Sequence, residues 1–163
     1  MQRWLQRLAW GFAVVAGVCA CMVALMTVTS IAGRALLSRP IPGDVELTQL
    51  GIALSISLCL PWCQLQRANI IVDFFTQRVP ERGIRRLDAA GGLLMALMVL
   101  VLAWRTGAGA FAVRGADEQS MILGLPMWWI YAALAPGLAL AGLIALLQAG
   151  LRWRGREWQG TTP

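Results

Sequence analysis

The sequence predicts an all-α integral membrane protein with four transmembrane helices, a cytoplasmic interfacial amphipathic helix and both termini in the cytoplasm. Three observations carry this. Of 163 residues, 58% are hydrophobic and 13% charged, about half the ~25% charged fraction of an average soluble domain. The apolar residues gather in four runs, near 8–33, 46–66, 87–113 and 126–151, each long enough at ~1.5 Å per residue to cross a ~30 Å hydrocarbon core. The cations, all arginine, collect at the ends of those runs. Ten fall on the N-terminal segment, the central connection and the C-terminal tail, against three on the other two connections. That bias places the termini and the central connection in the cytoplasm.

The first span has 26 uncharged residues, Leu8 to Gly33, behind Arg3 and Arg7. A signal-peptide apolar region is only about 7–15 residues long, so the segment is expected to be retained as an anchor. Ala9, Ala13, Gly17 and Cys21 recur every four residues, a stripe that lets another helix approach closely. Ser38 to Asp44 is too rich in proline and glycine for a helix. Asp44 and Glu46 sit at the start of the second span, where the helix dipole favours acids. That span holds 20 uncharged residues, Leu47 to Gln66, with Pro61 as a possible kink and Trp62 suited to an interface.

Between the second and third spans, Ile70, Ile71, Phe74 and Phe75 share one helical face, with Asn69 placed to cap and Pro80 to stop the element. This predicts a helix over about 69–79 lying in the membrane surface. The alternative is an ordinary connecting loop. Pro80 and Glu81 suit the first turn of the third span. Arg105 interrupts that span, with 16 uncharged residues before it and eight after. A membrane arginine is a functional candidate by default, but this one stands near an end of its run. Snorkelling to the headgroups or a structural pair with an acid is expected of it.

The last connection carries Asp117 and Glu118. Trp128, Trp129 and Tyr131 form an interfacial belt at the start of the fourth span, which runs across Pro136. Gly137, Ala141, Ala145 and Ala149 make a second small-residue stripe, expected to serve helix-on-helix assembly. The acids Asp44, Glu46, Asp117 and Glu118 share the non-cytoplasmic face. They are either solvated there or contacts for a periplasmic partner.

Composition also excludes functions. The arginines form no continuous basic face, so no nucleic-acid partner is expected. The chain has no histidine, which removes bis-His haem, His-containing triads and His-based zinc chemistry. Cys19, Cys21, Cys59 and Cys63 lie inside apolar runs and read as small buried hydrophobes; Cys59 and Cys63 share a helix face but lack the further ligands a metal would want. No nucleophile, base and orienting group fall within reach of one another, and no glycine-rich phosphate loop is present. Neither enzymatic activity nor a cofactor is expected.

Several segments in order resemble one family. Gly43-Asp44-Val45-Glu46-Leu47 opens the second span, Arg67-Ala68-Asn69-Ile70-Ile71-Val72-Asp73 closes it, and Ser120-Met121-Ile122-Leu123-Gly124-Leu125-Pro126-Met127-Trp128-Trp129-Ile130-Tyr131 precedes Pro136-Gly137. With four spans and both ends inside, this resembles the small permease, or DctQ-like, subunit of a tripartite ATP-independent periplasmic (TRAP) transporter, over nearly the whole chain. Arg34, Glu46 and Asp73 match characteristic family positions and are carried over as structural or assembly residues. Asn69 stands where the family often has His, so no role is carried over there.

The resemblance implies a scaffold in a bacterial inner membrane. Its partners would be a large DctM-like permease, holding the substrate and Na⁺ sites, and a periplasmic substrate-binding protein that captures an organic acid. Membrane lipids would surround it. The small-residue stripes would meet the large subunit, and the connections Arg39 to Glu46 and Arg114 to Leu125 would help receive the binding protein. Two other classes compete. A small four-span exporter would carry a carboxylate in its first span, which Leu8 to Gly33 lacks. A membrane anchor of a different multi-subunit complex would be told apart by its co-purifying partner.

Overall fold

The computed structural model describes residues 2–38, 41–66 and 81–153. They form four helices: α1 (Gln2–Leu37), α2 (Asp44–Leu65), α3 (Glu81–Gly115) and α4 (Trp128–Trp153). Each contains a stretch long and apolar enough to cross a membrane. Asp73 and the 69–79 segment, the expected interfacial helix, lie outside the described residues.

The helices stand in a row, α1–α2–α4–α3. α2 packs against α1 and α4, α3 packs against α4 alone, and α1 also brushes α4. The central pair, α2 and α4, run parallel because each is the second arm of its own hairpin. One end of the row therefore collects the C-terminal ends of α1 and α3 and the N-terminal ends of α2 and α4. At the other end Ala9, Leu65 and Ile144 form a buried cluster, with Leu5, Trp62, Leu140, Leu147 and Leu151 packed around it. Trp62 thus closes this end of the core.

Lipid tails are as apolar as leucine, so these helices gain by close backbone approach and by hydrogen bonds that lipid cannot offer. α3 supplies a seam of Ala89, Ala96, Ala103 and Ala110, one alanine every seven residues, all buried. On α4, Leu138, Ala141, Ile144, Ala145 and Ala149 are buried. The stripe through Gly137, Ala141, Ala145 and Ala149 is therefore consumed inside the chain, and it presents no open face to a larger subunit. On α1 the other stripe is covered only toward its start: Ala9 is buried and Ala13 half-buried, whereas Gly17 has no other atom near its missing Cβ and Cys21 is exposed.

α2 and α4 meet most closely at Gly137. An ideal Cβ there would lie 2.6 Å from Ser57 Oγ and 2.8 Å from the Ser57 carbonyl carbon. The neighbouring proline explains the choice of site. Pro61 has no N–H, so the carbonyl of Ser57, four residues earlier, loses its helical donor. Gly137 comes against that carbonyl closely enough for only Cα hydrogens to fit between, the geometry of a Cα–H···O contact. Ser57 Oγ in turn donates to the Leu134 carbonyl at 2.7 Å.

At the helix ends the structure departs from the apolar runs for local reasons. α1 begins at Gln2 and continues to Leu37, so Arg3, Arg7 and Arg34 are helical. α4 begins at Trp128, two residues after Pro126, because Gln119 and Pro126 pair in an antiparallel bridge and Met127 N–H donates to the Glu118 carbonyl. α1 has 36 residues and α3 has 35, about 50 Å each and well beyond a ~30 Å core. The two edge helices are the long ones.

Candidate functional site

Polar side chains gather where α1 ends, α2 begins and the α3–α4 connection folds back. Two carboxylates organise this end. Asp44, the first residue of α2, accepts from Ser30 Oγ at 2.6 Å and from Arg34 at 3.1 Å through Oδ2, and from the Val45 N–H at 2.8 Å through Oδ1. Ser30 is buried and also accepts from the Ile41 N–H at 3.3 Å. One short hydroxyl thus ties α1 to the turn and to the start of α2. The Arg34–Asp44 ion pair has its arginine mostly in the open, where such pairs contribute little.

Glu46, two residues further, reaches the other hairpin. Its Oε2 accepts from Ser120 Oγ at 2.8 Å and from the Leu123 N–H at 3.3 Å, and its Oε1 from the Ile122 N–H at 3.0 Å. A carboxylate is the right group for this task, because it is acceptor-only and can serve several converging donors. Leu123 then folds over Gly43, where a Cβ would stand 2.5 Å from Leu123 Cγ and φ is +74°. Only glycine meets both demands.

Both oxygens of each carboxylate are thus engaged within the chain. Asp117 and Glu118 differ, being exposed with no side-chain hydrogen bond or ion pair to a described residue. An open cleft of about 420 Å³ lies between Glu46, Gln49 and Leu50 of α2 and Glu118, Ser120 and Met127. Beside it Met121, which is 99% exposed, and Ile122 project from the turn. Arg114 lies over the Trp128 ring at 5.0 Å, and Trp128 and Trp129 meet at 5.3 Å with ring planes 53° apart.

Two features were not singled out in the sequence. Gln64 and Gln148, both buried, join the far ends of α2 and α4: Gln64 Nε2 donates to Gln148 Oε1 at 3.0 Å, and Gln148 Nε2 to the Gln64 carbonyl at 3.0 Å. The legible signal was a glutamine near the end of each of two apolar runs. The second feature is the alanine heptad of α3, readable as a period of seven. Cys59 and Cys63, 3.8 Å apart at sulfur, remain free thiols, and among the described residues no group of three potential ligands could hold a metal.

The packing of α3 on α4 fixes the level of Arg105 relative to the other helices. A Cβ on Gly109 would meet Tyr131 at 3.6 Å, one on Gly142 would press on Leu100 at 2.7 Å, and one on Gly92 would meet Ala149 at 3.6 Å. That antiparallel register sets Arg105 level with Pro136, whose neighbour Gly137 abuts Ser57. Ser57 is midway along the uncharged stretch Leu47–Gln66 of α2. Arg105 is therefore level with the middle of that stretch of α2, while within the apolar part of its own helix, Ala89–Gly115, it stands nearer the C-terminal end, as the run lengths predict. α3 runs past the C-terminal ends of α2 and α4 at its own N-terminal end, so the middle of α3 is not the middle of its neighbours. A charge at the centre of a spanning helix costs about 2.5–3.5 kcal/mol on insertion scales.

The family model for the DctQ component of tripartite ATP-independent periplasmic transporters matches residues 23–155. The chain belongs to the DctQ family. Comparisons with curated proteins and with solved structures return no match. Membership in the DctQ family makes this four-helix, multi-pass membrane protein the small permease component of a TRAP transporter, which works with other subunits.

Proposed function

We propose that this chain is the stationary scaffold of its transporter. It binds a large DctM-like permease that carries the Na⁺ and organic-acid sites, and it supports uptake of an organic acid delivered by a periplasmic binding protein. It sits in a bacterial inner membrane with both termini cytoplasmic, holds no cofactor and catalyses no reaction. The observation carrying this reading is where the chain keeps its charge. All eight acids lie at or beyond the ends of the apolar runs, so no carboxylate stands at mid-membrane to coordinate a cation, whereas ion-coupled transporters build their sites there.

The polar end suits a receiving surface for the binding protein. Asp44 braces the α1–α2 hairpin and Glu46 ties it to the other, which leaves Asp117, Glu118, Met121 and Ile122 exposed on a braced turn. Reconstitution into liposomes tests the reading. The chain alone is expected to be inert, and Na⁺-driven uptake to require the large permease and the binding protein as well. Sodium-driven uptake by this chain alone would overturn it. Charge reversal at Asp117 and Glu118 should change binding-protein affinity in a salt-dependent way, and an unchanged affinity would remove those two acids from the docking surface.

A further inference from the structure

Arg105 lies on α3, an edge helix that touches only α4 among the described elements. The residues around it, Val101, Leu102, Trp104 and Ala108, are exposed, Trp104 by 78%. Arg105 is itself exposed on this open face, about 15 Å from either end of the uncharged stretch of α2 and about 15 Å from the C-terminal end of the apolar part of α3. Side chains on a helix lean toward its N-terminus. For Arg105 that is away from the nearer end of α3, so snorkelling to the nearer surface works against the direction its own Cα–Cβ bond takes. A side chain of about 6 Å reach cannot close the gap.

Among the described residues no acid pairs with it. The ion pair among the described residues, Arg34–Asp44, is at the polar end. No acid lies inside α1, α2 or α4 beyond their first turns, and Asp88, the nearest on α3, is 17 residues away, about 25 Å. A second copy has the same acids at the same levels, so self-association supplies none at mid-membrane. Lipid phosphates lie at the surfaces, beyond the reach of the side chain.

We infer that the open face of α3 around Arg105 receives a transmembrane helix of a different chain, one that carries an Asp or Glu at mid-membrane depth to pair with the guanidinium. This rests on the scaffold reading and deepens it: the partner is the large permease, and the contact is a desolvated ion pair flanked by Trp104 and Ala108. The buried Ala141–Ala145 stripe is not the contact. A planar, always-charged fork suits a single bidentate carboxylate, and one ion pair in otherwise apolar surroundings sets the register of the two helices.

The test uses the chain co-expressed with the large permease and recovered through a tag on the chain in mild detergent. Arg105→Leu is expected to lower permease recovery at least tenfold, with Arg105→Lys retaining part of it. The isolated Arg105→Leu chain should melt at the wild-type temperature or above, since it loses an unpaired charge; this separates lost partnering from misfolding. A photo-crosslinking residue at Trp104 should join a permease peptide containing Asp or Glu. Full recovery with Arg105→Leu, or cross-links only to phospholipid or to a second copy, would overturn the inference and leave the scaffold reading standing. Failure of the wild-type chain to recover any permease would defeat both.

Discussion

Gly137→Ala is the sharpest test of how the two hairpins are joined. The added methyl would stand 2.6 Å from Ser57 Oγ and 2.8 Å from the Ser57 carbonyl carbon, well inside an ordinary van der Waals separation of about 3.5 Å. Ser57 Oγ can rotate, but only by giving up its 2.7 Å bond to the Leu134 carbonyl. The carbonyl cannot move without α2, because it is backbone. Separating α2 from α4 by several tenths of an ångström should cost about 1–3 kcal/mol, the usual range for overpacking. Thermal or detergent-titrated unfolding of the purified chain measures this. Gly17→Ala is the control: nothing lies within 4 Å of its Cβ position, so alanine there should be neutral or stabilising by up to about 1 kcal/mol through helix propensity. Equal behaviour of the two variants would refute the close approach at Gly137.

Two further outcomes follow from the polar ties. Gln148→Leu removes two hydrogen bonds between α2 and α4 in a buried setting and should destabilise the chain by about 1–2 kcal/mol, with Gln148→Glu worse still; unfolding in detergent reads both. Glu46→Gln replaces one acceptor oxygen by an NH₂ group facing converging donors. Hydrogen exchange at the Ile122 and Leu123 amides should then speed up about threefold or more, with the Ser120 N–H to Leu125 carbonyl bond as an internal reference; unchanged exchange would show that Glu46 does not hold the turn.

Much of the architecture was legible because a bilayer leaves a chain few choices. Backbone groups in hydrocarbon must be satisfied within the segment, so four long apolar runs mean four helices. Short-range signals were equally readable: glycine and proline before Asp44, and acids where α2 starts. The interior small residues were visible too, yet their partner was not. A stripe such as Gly137–Ala145 says that something packs closely against it, and only the lateral order α1–α2–α4–α3 shows that the something belongs to the same chain.

The sequence by itself determined the class of molecule, its spans and its family resemblance, since hydropathy and charge placement are properties of consecutive residues. Tertiary structure alone decided what depends on residues far apart meeting: Glu46 committed to the 120–123 turn, Gln64 to Gln148, and Arg105 set level with the middle of α2 on an uncovered face. Depth is the clearest case, because a helix longer than the membrane carries no mark of where the membrane begins. That is set by the neighbours it packs beside.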